Sequence, residues 1–149
     1  MTLLEQITED IKTAMKARDK EKLAALRSIK SALMLEATKD GSGKVSEEIG
    51  IKIVQKLHKQ RKDAAVLYEE QNRPDLLKDE VFQAGIIEAY LPAQMSEDEI
   101  AVVVGQVISQ TGASSPADMG KVMGMTMKKL AGKADGSLIS KLVKEALNS

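Results

Sequence analysis

The chain has 149 residues, of which 43% are hydrophobic and only 2% aromatic, and its 22 Lys and Arg residues balance its 22 Asp and Glu residues. This hydrophobic fraction is enough for a packed core, and a core nearly without aromatic side chains favours helices over a β-sandwich or barrel. The balanced charge excludes a global basic field for nucleic acid, so any such binding depends on a local patch.

The composition also indicates the cellular compartment. No cysteine is present, which excludes disulfides and thiolate metal sites and is typical of a reducing compartment. An acid as early as Glu5 argues against a secretory signal peptide, and no apolar run approaches the roughly 20 residues of a membrane span. We therefore expect a cytoplasmic protein that has no contact with a membrane.

Helix signals recur along the first half of the chain. Thr2 opens a capping-box pattern, and Asp19 is the candidate N-cap of a second helix. Two glycines within residues 40–44 predict a turn, after which Ser46 caps a long helix whose apolar face continues to about Gln71. We expect this long helix to pack beside the second helix as an extended antiparallel hairpin.

A proline-containing turn ends the long helix, and a fourth predicted helix runs to Leu91. The segment from Leu91 to Met95 is the predicted boundary between two domains, residues 1–91 and residues 96–149. About 55 residues is near the lower limit for independent folding, so packing against the first domain is expected to help the second.

Three short helices are predicted after this boundary. Ser96, Ser115 and Asp135 are their candidate N-caps, and Gly112 and Gly132 stand where helices often end in a left-handed residue. A run of three valines in the first of them suits a strand, but the capping box before the run favours a helix. The sequence therefore predicts an all-α protein, with an N-terminal helical domain that contains a long helical hairpin, followed by a small C-terminal three-helix bundle.

Three segments of the second half carry a family resemblance. They are LPAQMSEDEI at residues 91–100, DMGKVMG at residues 118–124 and GKADGSLISKLVK at residues 132–144. In order and spacing they resemble the motifs of the GatB/YqeY family, and the whole chain is similar to the stand-alone YqeY-type members. Ser140 stands where the family often has Asn, which is a small change.

The resemblance implies more than the residues show alone. It implies that residues 96–149 are similar to the tail of the B subunit of aspartyl/glutamyl-tRNA amidotransferase, where the tail contacts the tRNA. It also implies a family association with carbon–nitrogen ligase activity that uses glutamine as amide donor. The domain that activates the misacylated tRNA lies elsewhere in that enzyme, and a chain of 149 residues is too short to contain it.

No residue pattern in the chain predicts catalysis. His58 is the only histidine, has no partner at metal-ligand spacing, and is expected to be a solvated surface side chain. The carboxylates are interpreted as helix caps and ion-pair partners, and no phosphate-binding loop, dinucleotide fingerprint or nucleophile elbow occurs. We therefore expect no catalytic residue, no metal site and no cofactor.

Lysines concentrated in the last two predicted helices and their loop are the candidate nucleic-acid contacts: Lys121, Lys128, Lys129, Lys133, Lys141 and Lys144. Lysine suits phosphate contacts, which are independent of sequence and sensitive to salt, although an ordinary solvated face fits the same pattern equally well. The candidate partner is tRNA, recognised by shape and phosphate, because the scarcity of aromatic side chains removes base stacking.

A second basic cluster lies along the long helix and contains Lys52, Lys56, Lys59, Arg61 and Lys62. Lys52, Lys56 and Lys59 share one face of that helix. This cluster is interpreted as a solvated face, with an extension of the RNA-binding surface as the alternative.

Gly120 and Gly124 are four residues apart and so share one face of a predicted helix. Each glycine should lower the stability of the helix by about 1 kcal/mol relative to Ala. One interpretation of the glycines is that they permit close helix–helix approach within the bundle, and close approach of a ligand or an RNA backbone is the alternative.

The nearby methionines are interpreted as core filling or, alternatively, as a deformable binding surface: Met119, Met123, Met125 and Met127. A protein of the translation apparatus bound there would make the chain an interaction adaptor without RNA binding.

Overall fold

The computed structural model describes residues 1–148, and within that range all regular structure is helical, so the all-α prediction is confirmed. The α-helices are α1 (Leu3–Lys16), α2 (Lys20–Ala37), α3 (Glu47–Glu70), α4 (Pro74–Glu88), α5 (Glu97–Thr111), α6 (Met119–Lys129) and α7 (Gly136–Asn148). One turn of 3-10 helix, Pro116–Asp118, leads into α6. The chain divides into two compact units, Met1–Leu91 and the residues from Pro92 onward.

Side-chain caps fix where several helices begin. The Thr2 hydroxyl accepts a hydrogen bond from the Glu5 amide at 3.2 Å, while the Glu5 carboxylate accepts one from the Thr2 amide at 2.9 Å. The same reciprocal arrangement joins Ser96 and Glu99 at the start of α5, and the Ser46 hydroxyl caps α3. These bonds satisfy amide groups that have no partner inside the helix, which is why the predicted starts are correct.

Aliphatic side chains of all four helices form the core of the first unit. On α2 the buried Leu26, Ile29 and Leu33 follow the three- and four-residue spacing of a helix with one apolar face. They pack with Ile7 and Ala14 of α1, Val54 of α3, Ile87 of α4, and Leu91 just after it. This core therefore uses the first part of α3 and the last part of α4.

The long hairpin consists of α3 and α4, and the prediction that α3 pairs with α2 is wrong. α3 packs along α4 far more extensively than against α2. The reason lies in the connections, because residues 71–73 alone join α3 to α4, whereas residues 38–46 separate α2 from α3. A short connection makes consecutive helices antiparallel neighbours. An ion pair between Arg61 and Glu80, 3.2 Å between nitrogen and oxygen, also joins the two helices.

His58 lies on this hairpin, and the prediction of a solvated side chain is wrong. Its side chain is only 14% exposed, and its Nε2 atom is 3.8 Å from a carboxylate oxygen of Glu88 on α4. The sequence places His58 among lysines, but the packing of α4 against α3 covers it.

The second unit is built from α5, α6 and α7 around a separate aliphatic core. The run of valines lies inside α5, which confirms the helical prediction. The buried residues of the second unit's core are Ile100, Val104, Val107, Val122, Leu130, Ala134, Ile139, Val143 and Leu147. The Gln94 side-chain amide donates to the Gly132 carbonyl at 2.8 Å, and the Met95 amide donates to the Lys133 carbonyl at 2.9 Å. The residues before α5 are thereby fixed to the loop between α6 and α7.

We predict that Thr126→Val stabilises the protein. Thr126 is fully buried in α6, and among the described residues its hydroxyl has no hydrogen-bond partner. A buried hydroxyl without a partner costs about 1–3 kcal/mol, so the similarly shaped Val should raise the free energy of unfolding by about 1 kcal/mol or more. Urea denaturation measures this, and Val122→Thr, at another fully buried position, should lower it. A T126V protein no more stable than the parent would contradict the prediction.

We predict that Tyr90 makes stability sensitive to alkaline pH. Its hydroxyl donates a hydrogen bond to the Asp10 carboxylate. Burial, and to a smaller extent this bond, raises the pKa of the phenol well above its ordinary value. The stabilisation is therefore complete below the unfolded-state pKa of about 10 and is lost as the pH rises above it. Because the site is half-buried and partly screened, the loss should stay below about 1.4 kcal/mol per pH unit.

Urea denaturation between neutral pH and about pH 11 tests this sensitivity. Tyr90→Phe should lower the free energy of unfolding at neutral pH by about 1 kcal/mol and reduce the alkaline loss. Tyr68→Phe, which removes the phenol on α3, should leave the alkaline loss of stability unchanged. Equal alkaline slopes for the parent and the Y90F protein would exclude Tyr90 as its source.

Candidate nucleic-acid interface

The six candidate lysines are all exposed on the second unit. Three lie on α6, one in the loop that follows, and two on α7. Lys121 and Lys128 are seven residues apart on α6, so they project from the same side of that helix. Lys129 projects from a different side, and its ammonium group donates a hydrogen bond to the Gln110 side-chain oxygen of α5 at 3.2 Å. It is therefore separate from the pair formed by Lys121 and Lys128.

The lysines of α7 share one exposed side of that helix. Lys141 and Lys144 are three residues apart, while the buried Ile139 and Val143 face the core. In the loop, Lys133 exposes its side chain although its backbone is fixed, because its amide donates to the Leu130 carbonyl at 2.8 Å.

Two of the three carboxylates in this part of the chain, those of Asp118 and Asp135, are engaged in turns, whereas Glu145 is exposed on α7 beside Lys144. The Asp118 carboxylate accepts hydrogen bonds from the amides of Ser114 and Ser115 at 3.0 and 3.3 Å. These two bonds lower the pKa of Asp118 most, with a smaller contribution from the charge of Lys121. The Asp135 carboxylate accepts a hydrogen bond from the amide two residues later at 3.3 Å. Asp118 and Asp135 therefore hold the backbone at helix starts, and the six lysines outnumber the three acids of residues 118–148, which leaves a positive excess.

Gly120 and Gly124 lie on the exposed side of α6, away from the buried Val122 and Thr126. A Cβ atom added at either glycine would meet no heavy atom of the described chain within 4 Å outside its own helix and chain neighbours. Close helix–helix approach within the bundle therefore does not account for these glycines. The alternative, an approach of a ligand or an RNA backbone from outside, remains.

The methionines of α6 divide between core and surface. Met119, Met123 and Met125 pack against the core of the second unit, as the core-filling interpretation predicted. Met127 instead is 47% exposed. It lies seven residues after Gly120 and three after Gly124, so it extends the same exposed face. Its spacing from the two glycines was the sequence signal that could have identified Met127 as a surface residue.

Neither a metal centre nor a membrane segment is found in the part of the chain that the structure describes. No group of three or more His, Cys, Asp or Glu side chains within residues 1–148 could hold a metal ion. No described helix is both long enough and apolar enough to cross a membrane.

We predict that Gly120→Ala and Gly124→Ala each stabilise the protein. Gly124 is inside α6, where Ala is favoured over Gly by about 1 kcal/mol, and Gly120 is in the first turn, where the gain should be smaller. The added Cβ meets open space at both positions. Thermal unfolding followed by circular dichroism measures the effect. Gly112→Ala is the matched control and should destabilise, because Gly112 ends α5 with a φ of +67°. Destabilisation by both α6 substitutions would show that the fold itself requires these glycines.

Comparison with known proteins shows the family of the chain. Over 128 residues, 82% of this chain, the sequence is 38% identical to "Altered inheritance of mitochondria protein 41, mitochondrial" from Meyerozyma guilliermondii, and the match spans 65% of that protein. Over 57 residues, 36% of this chain, it is 35% identical to the E subunit of glutamyl-tRNA(Gln) amidotransferase from Methanobrevibacter smithii, of which it spans 9%. The chain thus spans less than two thirds of either relative.

The family model described as "Yqey-like protein" matches residues 4–147. This range contains all three segments on which the resemblance rests. The protein therefore belongs to the Yqey-like protein family, and it is related in sequence to a subunit of a tRNA-dependent amidotransferase.

Proposed function

We propose that this protein is an accessory RNA-binding module that binds folded tRNA through the exposed side of α6 and the lysines around it. One observation carries the proposal. Gly120 and Gly124 lower the stability of α6, although no neighbouring atoms require a glycine at either position. They lie beside the exposed Lys121 and Lys128.

The chemistry of this face suits a phosphate backbone. Glycines leave the main chain of α6 bare, so a partner's backbone can approach it more closely than any side chain would permit. Lysines beside that bare face neutralise phosphates, which supplies affinity without reading sequence. All three aromatic residues of the chain lie in the first unit. Base stacking is thus unavailable on this face, which favours a folded RNA over a single strand.

The relationship to an amidotransferase subunit supports tRNA as the RNA. The Methanobrevibacter relative is named as the E subunit of glutamyl-tRNA(Gln) amidotransferase, and the matched part is a small fraction of it. We propose that the chain assists a carbon–nitrogen ligase reaction with glutamine as amide donor and does not carry out that reaction alone. Its proposed partners are tRNA and a protein of the translation apparatus.

We propose a cytoplasmic location, because a cysteine-free composition is typical of a reducing compartment. The name of the Meyerozyma relative assigns that protein to mitochondria. Imaging of the tagged protein in its own cells would decide between the two locations.

We predict salt-sensitive binding of whole tRNA. Each phosphate neutralised by a lysine should contribute about −0.7 to −0.9 to the slope of log K against log salt. Replacing four exposed lysines by Gln should weaken binding at least tenfold at low salt and make the slope shallower: Lys121, Lys128, Lys141 and Lys144. The matched control replaces four lysines of the first unit by Gln: Lys12, Lys16, Lys20 and Lys22. Fluorescence anisotropy at two salt concentrations measures both effects.

Absence of saturable binding by the parent protein even at low salt would overturn the proposal. Equal weakening by the control variant would reduce the interaction to nonspecific attraction by net charge. Gly124→Ala separates binding from folding, because it should stabilise α6 while weakening tRNA binding. Unchanged affinity in that variant would place the RNA contact away from the glycine face.

The exposed Met127 favours one second candidate, a helical adaptor that binds protein and no RNA. Crosslinking followed by purification with and without nuclease discriminates the two functions. A protein partner that is retained after nuclease treatment and lost in Met127→Lys would favour the adaptor.

A further inference from the structure

The side of α4 that points away from the core of the first unit is largely apolar. Val81 is 57% exposed there and Phe82 is 38% exposed, and neither side chain belongs to that core. Gly85 and Ala89 follow on the same exposed side, three and seven residues after Phe82. Phe82 is the only phenylalanine of a chain whose two cores are aliphatic. Packing within the fold therefore does not account for this aromatic side chain.

Gly85 leaves the main chain bare in the middle of this exposed side. It is an interior residue of α4, where glycine is less favourable than alanine. A Cβ atom added at Gly85 would meet no heavy atom of the described chain within 4 Å outside its own helix and chain neighbours. A close approach to the backbone of α4 from outside the chain would account for both the glycine and the exposed Phe82.

The charges of α4 favour a protein at this face over a nucleic acid. Residues 74–88 carry four acids and one base, Lys78, so this helix repels phosphate. Two of the four acids are paired with arginines of the same chain. The exposed side of α4 is thus an apolar surface with a single base at one end, which suits contact with another helix.

The order of the residues makes this face complementary to itself. Phe82 projects from the helix, and Gly85 is the nearest gap on the same side. A second α4 turned end for end, about a two-fold axis between residues 83 and 84, places each Phe82 on the Gly85 of the other copy. The same axis brings Lys78 of each copy to Ala89 of the other. One sequence thereby supplies both the projecting side chain and the gap that receives it.

Lys78 gives this antiparallel arrangement its charge complementarity. The C-terminal end of a helix carries partial negative charge, and the last turn of α4 contains no base. Turned end for end, the exposed Lys78 of each copy lies at that end of the other copy. Lys78 takes part in no ion pair within residues 1–148, so its charge is available. A parallel pair would instead oppose Lys78 to Lys78 and Phe82 to Phe82.

We propose that α4 binds α4 of a second copy of the chain in antiparallel orientation, with Phe82 of each copy on Gly85 of the other. The contact runs from Lys78 to Ala89, roughly 16 Å of helix. It is therefore smaller than a standard protein interface, and the dimer is weak. Apolar contact supplies most of its affinity, so added salt affects it little. Self-association through α4 is independent of the RNA binding proposed for α6.

Gly85→Ala tests the close approach without harming the fold. The added Cβ meets open space within one copy, so the variant should melt at a higher temperature than the parent, yet it should dimerise at least about tenfold more weakly. Gly105→Ala is the matched control, because Gly105 is likewise exposed inside a helix with open space around it. It should also melt higher and should dimerise as the parent does.

Phe82→Ala tests the projecting side chain and should weaken dimerisation at least about tenfold. Its control is Val102→Ala, which removes an exposed apolar side chain from α5 and should leave dimerisation unchanged. Analytical ultracentrifugation of the nuclease-treated full chain, from about 10 μM to about 1 mM, covers the range of weak self-association. Circular dichroism melts establish that every variant is folded.

Crosslinking tests the antiparallel orientation. The chain contains no cysteine, so a single cysteine can be introduced by Lys78→Cys or by Ala89→Cys. An equal mixture of the two variants, treated with a short bismaleimide, should form several times more covalent dimer than either variant alone. A parallel pair would instead crosslink each variant with itself.

We expect the parent to dimerise within this concentration range, with a dissociation constant that changes by less than about threefold when the salt is raised about tenfold. A parent that is monomeric throughout would overturn the proposal. So would a Gly85→Ala protein that dimerises as tightly as the parent, or a cysteine mixture that crosslinks no more than its two components.

Discussion

Burial of aliphatic side chains along one side of each helix is the interaction on which both units depend. With only three aromatic residues in the chain, the two cores consist of Ile, Leu, Val and Ala. Each buried aliphatic side chain contributes about 1.5–3 kcal/mol relative to leaving it exposed. Because the cores use one side of each helix, the opposite sides are free to carry lysines and bare glycines. The candidate surfaces of this protein all lie on those opposite sides.

Local signals explain why much of the fold could be predicted from the sequence. The hydroxyls of Thr2, Ser46 and Ser96 cap their own helices, so the information lies within three residues of each helix start. Gly112 adopts the left-handed conformation that ends α5 for an equally local reason. The exposure of the six lysines was also predictable, because a charged side chain is rarely buried without a partner.

Features that depend on which helices meet could not be predicted in the same way. The partner of α3 and the burial of His58 both follow from packing against α4, which no periodicity within α3 specifies. Similarly, the glycine spacing on α6 is the same whether a neighbouring helix or open space lies above Gly120 and Gly124. The separation of Lys129 from the other lysines of α6 required knowledge that α5 supplies Gln110 nearby.

The hydrogen bonds of Gln94 and Met95 have a consequence for dissecting the protein. These residues precede α5, yet they bond to the Gly132 and Lys133 carbonyls, and Met95 packs against the core of the second unit. A fragment cut at Ser96, where the capping box of α5 begins, would lose both bonds and that apolar contact. The second unit therefore begins before its first helix. A fragment meant to keep these contacts has to include the residues from Pro92 onward.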